Sequence, residues 1–305
     1  MTREELNQEK QKEVMSETRY ENRKKIVLFV FKVILIIVVL FISFYLYTSL
    51  VSTKILSVRE YRIINKKVPA DFNGLKVVQF SDLHYGTTIF IKDLKNVVKK
   101  INESSPDLVV FTGDLIDKSY KLSTKEQEKI IQELDKIETS LGKYAVRGEE
   151  DSNSFSTIMN QSGFNILDNN YDFIYNESDK PLLMVGIDSQ LQDRSNLKKA
   201  YDYFNDPKHN VNIFTISLVH EPDVTNDIMQ NYSSDLILSG HSHNGNIRFP
   251  FIGEIRKVDG AKEFSQEFYK LDDTELFISS GIGTNGPGFR LFCRPSISLF
   301  RISNK

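Results

Sequence analysis

The amino-acid sequence predicts a mixed α/β domain preceded by a single membrane-spanning helix. Residues 26–51 form a long apolar run. From about residue 55 onward, short apolar runs alternate with segments whose apolar residues recur at helical spacing, and this alternation is typical of sheets covered by helices. With 305 residues, 40% of them hydrophobic, the chain can form one large domain with a substantial core plus an appendage.

The segment 26–51, IVLFVFKVILIIVVLFISFYLYTSLV, is predicted to be an uncleaved transmembrane signal-anchor helix. Its charged residue is Lys32, and the uninterrupted part from Val33 to Val51 would span about 28 Å as a helix, close to the hydrocarbon thickness of a bilayer. A helix buried in a soluble protein would normally show a polar face, which this segment lacks. A cleaved signal peptide would have a shorter apolar core. We therefore expect the bilayer to be a partner of this chain.

The charges on either side of the apolar segment predict its orientation. Arg23, Lys24 and Lys25 precede it directly, whereas Lys54 and Arg59 follow it more sparsely. Basic residues are retained on the cytoplasmic side of a membrane. We therefore expect a single-pass cell-membrane protein with a cytoplasmic N-terminus and an extracytoplasmic C-terminal domain.

Composition limits the partners and the covalent chemistry of the chain. The net charge is −2 and the pI is near 6.3, so no basic face is expected and nucleic acid is excluded as a partner. Cys293 is the one cysteine, so an intrachain disulfide is impossible. Residues 1–25 have hardly any apolar side chains and are predicted to be a polar cytoplasmic tail or a frayed helix.

The main domain is predicted to contain at least three helices and several buried strands. The apolar positions at helical spacing fall in residues 91–101, 125–137 and near 152–162. The short apolar runs that indicate strands are residues 75–82, 107–114, 143–148, 182–188, 211–220, 235–241 and 275–281.

Polar side chains able to bind metals follow these strands repeatedly. Because ligands bind at the carboxyl ends of strands in α/β sheets, we expect the side chains to converge on one cleft. Imidazole and carboxylate together suit Zn, Mn, Fe or Co. There are more candidate ligands than one tetrahedral ion uses, so two metal ions are favoured. Pairs of metal ions in one site bind and orient phosphoryl groups. The candidates are Asp82, His84, Asp114, Glu149, His220, His241 and His243.

Several of these residues also have ordinary explanations when they are taken singly. Asp82 could cap a helix, Asp114 with Asp117 could form a turn, and His220 could be a loop residue. Taken together, these explanations require independent coincidences. His209, in the polar stretch NDPKHN, is predicted to lie on the surface.

The stretch VRGEED (146–151) has two interpretations. It could be a solvated acidic turn, or its carboxylates could reach a cation site. Its position after a predicted strand, between GDLID (113–117) and LVHEPD (218–223), favours the cation site.

The ordered motifs resemble those of the calcineurin-like metallophosphoesterases, and most closely the membrane-associated bacterial branch of that family. The resemblance covers about residues 60–303. In that branch the signatures run D-x-H, G-D-x-x-D, G-N-H-D/E, H-x-P-D and G-H-T-H-G-G-Q-x-R-x-P. Here they read DLH (82–84), GDLID (113–117), VRGEED (146–151), LVHEPD (218–223) and GHSHNGNIRFP (240–250), followed by GIGTNGPGFR (281–290), which is similar to the closing motif of the branch.

The resemblance implies a four-layer αββα sandwich with a dinuclear site, in a metallophosphoesterase-like domain over residues 73–305 that follows a juxtamembrane segment and first strand at 52–72. It implies two divalent ions. One would be held by Asp82, His84, Asp114 and His243, with Asp114 bridging. The other would be held by His220 and His241, with Glu149 at the position of the family's asparagine. Glu150 occupies the position of the catalytic histidine and is the expected catalytic residue, and Asp151 retains the acidic end of the motif.

The departures from the family pattern predict altered chemistry. Glu149 adds negative charge, which favours metal retention and reduces Lewis acidity toward a phosphate. A carboxylate at Glu150 repels a phosphate where an imidazolium attracts it, so poor turnover of esters with basic leaving groups is expected. The milder departures are Asn244, Asn246 and Ser296, which stand where the branch has Gly, Gln and Glu.

Three functions remain open at this point. The first is a membrane-anchored hydrolase of a phosphomonoester, phosphodiester or pyrophosphate, with an envelope lipid or cell-wall derived substrate. The second is a catalytically impaired metal-binding pseudoenzyme that recognises a ligand or partner at the cell envelope. The third treats the motif residues as purely structural relics. Asn285 and Arg290 could contact substrate or serve the structure.

Overall fold

The computed structural model describes residues 2–209, 211–249, 251–255, 257–286 and 288–305. Two motif residues, Pro250 and Pro287, lie outside the described residues. The chain divides into two compact units, residues 1–48 and Ser49–Lys305.

The first unit consists of one long helix. Helix α1 spans Arg3–Leu46 and is followed by a π-helical turn at Tyr47–Val51. Thr2 caps it through a reciprocal pair of hydrogen bonds with Glu5, at 3.4 Å from the Glu5 amide to Thr2 Oγ1 and 2.7 Å from the Thr2 amide to Glu5 Oε2. The polar N-terminal segment is therefore helical rather than an irregular tail. Within the described residues, α1 with this turn is the helix that is long and apolar enough to cross a membrane.

The second unit contains two six-stranded sheets and a small hairpin among its described residues. The strands in chain order are β1 Ser57–Ile64, β2 Leu75–Phe80, β3 Leu108–Thr112, β4 Gly142–Val146, β5 Phe164–Ile166, β6 Asn170–Ile174, β7 Leu182–Gly186, β8 Thr215–Leu218, β9 Leu236–Ser239, β10 Arg248–Phe249, β11 Gly253–Glu254, β12 Phe268–Leu271, β13 Thr274–Ile278 and β14 Ser296–Ser303. The helices are α2 Ile91–Glu103, α3 Thr124–Leu134, α4 Asn153–Gln161, α5 Leu197–Ala200 and α6 Val224–Asn231, with short 3₁₀ segments at Ala70–Phe72, Asp202–Asn205 and His243–Gly245.

Both sheets have a parallel centre. Sheet one has the order β1-β14-β2-β3-β4-β5, in which β2 to β5 are parallel and β14 runs antiparallel to β2. Sheet two has the order β12-β13-β9-β8-β7-β6, with antiparallel strands only at its edges. The parallel strands bring several carboxyl ends to one edge of each sheet.

The two sheets pack face to face. Val77, Val110 and Phe300 of sheet one share one buried cluster with Leu218 and Leu238 of sheet two. Strands buried on both faces are nearly continuous in apolar residues, as in LVVF of β3 and LIL of β9.

Helices cover the outer face of each sheet. Leu94 of α2 and Ile130 of α3 pack with Phe80 of sheet one, and Ile228 of α6 packs with Ile237 of sheet two. The order helix, sheet, sheet, helix confirms the predicted αββα sandwich.

The amphipathic pattern of α2 explains how one of these covering helices forms. Its buried residues are Leu94, Val97, Val98 and Ile101, which occupy the spacing of a single helical face. Its first turn is capped by Asp93, whose carboxylate accepts from the Phe90 amide at 3.0 Å.

The strand predicted over residues 211–220 is shorter than expected. Its ladder covers only Thr215–Leu218. Asp235 explains the late start, because its carboxylate accepts the Thr215 amide at 2.9 Å and ties the strand entry to the start of β9.

Candidate metal centre

The candidate metal-binding residues lie just after the carboxyl ends of strands from both sheets. Asp82 follows β2 by two residues, and Asp114 follows β3 by two. Glu149 comes three residues after β4. His220 comes two residues after β8, and His241 comes two residues after β9. The face-to-face packing of the sheets therefore places these five side chains in one cleft.

The loops that carry these side chains have an unusual backbone. Left-handed φ angles outside glycine are uncommon and concentrate at functional sites. Here they recur at five of the predicted ligands, namely Asp82 (51°), His84 (39°), Asp114 (60°), His241 (69°) and His243 (49°).

Glycines next to the ligands permit this close packing. A Cβ atom on Gly148 would lie 2.2 Å from Asp114 Oδ1, and Gly113 itself has a φ of +91°. Asn244 stands where the family motif has glycine, and its φ is 51°. Asparagine tolerates this conformation better than other residues with a Cβ, so the substitution is compatible with the turn.

Two three-residue groups of potential ligands form the two halves of the site. Within each group one ligand atom from each residue lies within 4.8 Å of the others. The first group is Asp82, His84 and His243, and the second is Glu149, His220 and His241. A third group, Asp82, Asp114 and His220, joins them.

The first half contains two imidazoles that face each other. His84 Nε2 and His243 Nε2 are 3.0 Å apart, and His243 Nε2 lies 3.4 Å from Asp82 Oδ1. Asp82 Oδ2 is buried and has no hydrogen-bond partner among the described residues. An unpaired buried carboxylate oxygen is costly, and a cation would satisfy it.

The second half is built around the Glu149 carboxylate. Its Oε2 lies 2.8 Å from His220 Nε2 and 3.1 Å from His241 Nδ1. Asp114 Oδ2 lies 3.4 Å from His220 Nε2 and 3.5 Å from His84 Nε2. Asp114 thus faces both halves, as a bridging ligand would.

Backbone carbonyls fix two of the imidazoles from behind. Thr112 O lies 2.6 Å from His220 Nδ1, and Asp259 O lies 2.6 Å from His241 Nε2. A carbonyl can only accept, so it holds the proton on the nitrogen that it faces. In the neutral imidazoles the opposite nitrogens, His220 Nε2 and His241 Nδ1, carry no proton and can bind a metal.

The carboxylates make His84 basic. Burial opposes its protonation, but Glu150, Asp114 and Asp82 outweigh burial and raise the pKa of His84 to about 9. A group of acidic side chains that attracts a proton this strongly also attracts a metal cation.

Two of the other three histidines of the site, His220 and His243, respond in opposite directions to their surroundings. Burial disfavours the charged form of His220, yet Asp114 and Glu149 raise its pKa well above the usual value. Burial, together with the neighbouring His84, lowers the pKa of His243 well below the usual value.

Asp151 organises the site without facing the ligands. Its carboxylate accepts the amides of Asp114 and Leu115 at 2.8 Å and of Gly148 at 2.9 Å. Burial and the nearby Asp114 raise its pKa to about 7. Asp151 therefore ties the loop after β3 to the loop after β4.

Glu150 lies behind His84. Its Oε2 is 3.3 Å from His84 Nδ1 and accepts the Lys118 amide at 3.1 Å. Its Oε1 accepts from Asn285 Nδ2 at 3.0 Å and lies 3.2 Å from Lys118 Nζ. Sequence reasoning missed Lys118, although the residue follows GDLID directly.

The closing motif supports the first half of the site. Arg290 is fully buried and donates to Ser280 O at 2.7 Å and to Gly283 O. Its Nη2 also lies 3.3 Å from His243 Nδ1. Of the two alternatives for Arg290, the geometry favours the structural one. Ser296, at the position of the family's Glu, hydrogen-bonds Ser280 at 2.6 Å.

Two further residues have ordinary roles. Asp117 accepts the Ser119 amide at 2.9 Å in a local turn. His209 is exposed, as predicted, and stacks on Tyr203 with the ring centroids 4.5 Å apart.

A cavity of about 440 Å³ opens beside the candidate metal ligands. Glu149, His241 and His243 line one side of it. The remaining walls are largely apolar and include Leu191, Ile247, Ile255, Val258 and Phe289.

Residues 75–245 match the family model of the calcineurin-like phosphoesterases, and this segment holds every candidate ligand. The chain belongs to the calcineurin-like phosphoesterase family. The relatives of this phosphoesterase are named for the same chemistry, and together they support a hydrolase of phosphate ester bonds.

Three relatives illustrate the range of the family. The chain is 29% identical over 265 residues to the uncharacterized metallophosphoesterase YkuE of Bacillus subtilis, covering 85% of this chain and 90% of that protein. It is 26% identical to YkoQ, a second metallophosphoesterase of Bacillus subtilis, covering 89% of this chain and all of that protein. It is also 26% identical to the UDP-2,3-diacylglucosamine pyrophosphatase LpxG of Chlamydia muridarum, covering 76% of this chain and 84% of that protein.

Proposed function

We propose that this phosphoesterase hydrolyses phosphate esters at a dinuclear metal site. The observation that carries the proposal is the pair of His–carboxylate groups joined by Asp114. Asp82, His84, Asp114 and His243 would hold one ion. Asp114, Glu149, His220 and His241 would hold the other.

The ligand chemistry suits Mn, Fe, Zn or Co, because imidazole and carboxylate donors are combined. Such ions supply Lewis acidity toward a phosphoryl oxygen and lower the pKa of a coordinated water. The residues of this chain would orient the metal ligands. Thr112 and Asp259 hold protons on the outer nitrogens of His220 and His241, and Asp151 holds the two central loops together.

We assign Glu150, at the catalytic position of the motif, a positioning role. Its carboxylate orients the imidazole of His84 and holds the Lys118 side chain. A carboxylate repels a substrate phosphate, whereas Lys118 carries the positive charge that the family's histidine provides. The Lys118 side chain is 72% exposed, so its ammonium group can leave Glu150 and contact a phosphate.

The proposed setting is the cell membrane. Residues 1–25 form the cytoplasmic tail, 26–51 the signal anchor, 52–72 the juxtamembrane segment and first strand, and 73–305 the extracytoplasmic domain. The apolar helix α1 supports the anchor, and the basic residues before it support the orientation. A substrate from the envelope, lipid or cell-wall derived, fits this setting, and LpxG is named for a diacylated substrate.

Hydrolysis of bis(p-nitrophenyl) phosphate by the purified chain tests the proposal. Turnover should require an added divalent metal, stop with a chelator, and be lost in the D114N variant. The H209A variant, altered at an exposed histidine, is the matched control and should retain the parent rate. Metal-independent turnover, or full turnover by D114N, would contradict the proposal. Bound metal without turnover would favour the pseudoenzyme, for which the replacement of the catalytic histidine by Glu150 is the supporting observation.

A further inference from the structure

A hairpin beside the catalytic domain's cavity exposes large apolar side chains. Strands β10 and β11 pair antiparallel through residues 248–249 and 253–254. At and after the turn, Phe251 is fully exposed, Ile252 is 79% exposed and Ile255 is 64% exposed. Apolar side chains clustered this way on a soluble surface mark an interaction site.

A neighbouring segment extends the same surface. The Arg248 amide donates to Leu291 O at 2.9 Å, and the Leu291 amide donates to Asn246 O at 3.0 Å. Next in sequence, Phe292 is 64% exposed, and its ring lies 6.2 Å from that of Phe249. We call the resulting set the apolar hairpin surface; it consists of Phe249, Phe251, Ile252, Ile255 and Phe292.

Basic side chains follow this surface in sequence, and the exposed acidic residue next along the chain, Asp259, is paired with Lys262 at 2.6 Å. Glu254 is the acidic residue of the hairpin, and both oxygens of its carboxylate are paired. Arg248 Nη1 lies 2.9 Å from Oε2, and Ser265 donates to Oε1 at 2.5 Å. Lys257 and Arg294 follow the surface in sequence and are exposed. Exposed aromatic and aliphatic residues beside basic ones are the combination that binds anionic lipid surfaces.

We propose that the apolar hairpin surface inserts into the headgroup and acyl boundary of a lipid bilayer. The chain carries its own candidate membrane-spanning helix, which, as the proposed anchor, would tether the domain to a bilayer. A second protein molecule fits less well, because specific protein interfaces use roughly 20–30 residues on each side, many more than this surface offers.

Membrane docking also indicates a substrate class for the hydrolase, and this inference rests on the proposed function. Ile255 belongs both to the hairpin surface and to the wall of the cavity beside Glu149 and His241. An inserted hairpin places that apolar cavity at the lipid boundary. The substrate is then a phosphate ester that carries a lipid chain, with the chain along the apolar wall and the phosphate at the metal ligands.

The absence of tryptophan from the sequence allows a direct test on the full chain. The F251W variant, reconstituted in phosphatidylcholine/phosphatidylglycerol vesicles, has a single tryptophan in the hairpin. The Y175W variant is the matched control, because Tyr175 is 54% exposed and follows β6, at the edge of sheet two opposite β12. Lipids brominated along their acyl chains should quench most of the F251W fluorescence and leave Y175W unchanged.

Equal quenching of the two variants would overturn the docking proposal. So would F251W fluorescence that is shielded from aqueous acrylamide but not quenched by brominated lipid, because a protein molecule would then cover the hairpin. The readout does not involve hydrolysis. Failure of the proposed function would appear separately, as absent turnover of bis(p-nitrophenyl) phosphate in solution.

Discussion

Glu150 and His84 form a buried pair in which a carboxylate oxygen lies beside one ring nitrogen, while the other ring nitrogen lies among the candidate metal ligands. Glu150 Oε2 lies 3.3 Å from His84 Nδ1, while His84 Nε2 lies 3.0 Å from Nε2 of His243. Carboxylates behind metal-binding histidines orient the ring and raise its basicity. This relationship gives Glu150 a purpose that its motif position alone does not suggest.

Replacing Glu150 by glutamine should weaken metal binding. The amide keeps the shape of the side chain but loses the negative charge behind His84. Loss of such a partner typically costs about 10–100-fold in metal affinity. Metal titration of E150Q measures the change, with E138Q, altered at an exposed glutamate, as the control. Unchanged affinity in E150Q would remove the positioning role.

Restoring the family motif should raise the rate for difficult substrates. At saturating divalent metal, the double variant E149N/E150H regains an imidazole at the position of the family's catalytic histidine, and general-acid assistance is worth about 10²–10⁴-fold. The gain should be largest for esters with basic leaving groups and small for p-nitrophenyl esters. Rates across a series of leaving groups test this, and no gain over the parent chain would refute the predicted catalytic deficit.

Lys118 should contribute its charge to substrate binding and turnover. We expect K118A to lower kcat/KM by roughly tenfold, the scale of a lost charged hydrogen bond, and K118R to restore most of the loss. The metal content should stay the same in both variants. If K118A and the parent have equal kcat/KM, then Lys118 does not replace the family's histidine.

Metal binding should release protons near neutral pH. His84 has a pKa raised to about 9 by its carboxylate neighbours in the metal-free protein, so it is protonated at pH 7. A metal needs the unprotonated nitrogen. Metal affinity should therefore rise as the pH increases toward about 9, and the ion pairs of His84 should stabilise the metal-free protein only below that pH. Calorimetric titration in buffers of different ionisation enthalpy measures the released protons. A heat that is the same in every buffer would contradict this assignment.

The strands that carry the ligands could be predicted from the sequence, because several of them are marked by short apolar runs. β3 and β9 are buried on both faces, so their apolar runs LVVF and LIL are continuous and end at polar residues. β14 was missed. It inserts between β1 and β2, and such pairing joins distant parts of the chain that no local pattern links. The polar segment before the apolar run is helical, which is one of the two alternatives predicted for it, and Thr2 and Glu5 cap its first turn.

The residues of the candidate site could be predicted from the sequence, but the orientations of their side chains could not. Motif order placed Glu150 in the cleft, yet its carboxylate direction depends on Lys118 and Asn285, which lie far apart in sequence and meet only in the folded chain. The carbonyls of Thr112 and Asp259 that select the imidazole tautomers likewise have no side-chain signature. Backbone partners of this kind are visible only in three dimensions.

The metal content of the purified chain tests the central claim most directly. The account predicts two divalent ions per chain in the parent, one in the H241A variant, which loses a ligand from the second half only, and two in the surface control H209A. Turnover of bis(p-nitrophenyl) phosphate should accompany the two-ion state. A parent chain that binds no divalent metal, or that binds two ions equally well after H241A and D114N, would contradict the account.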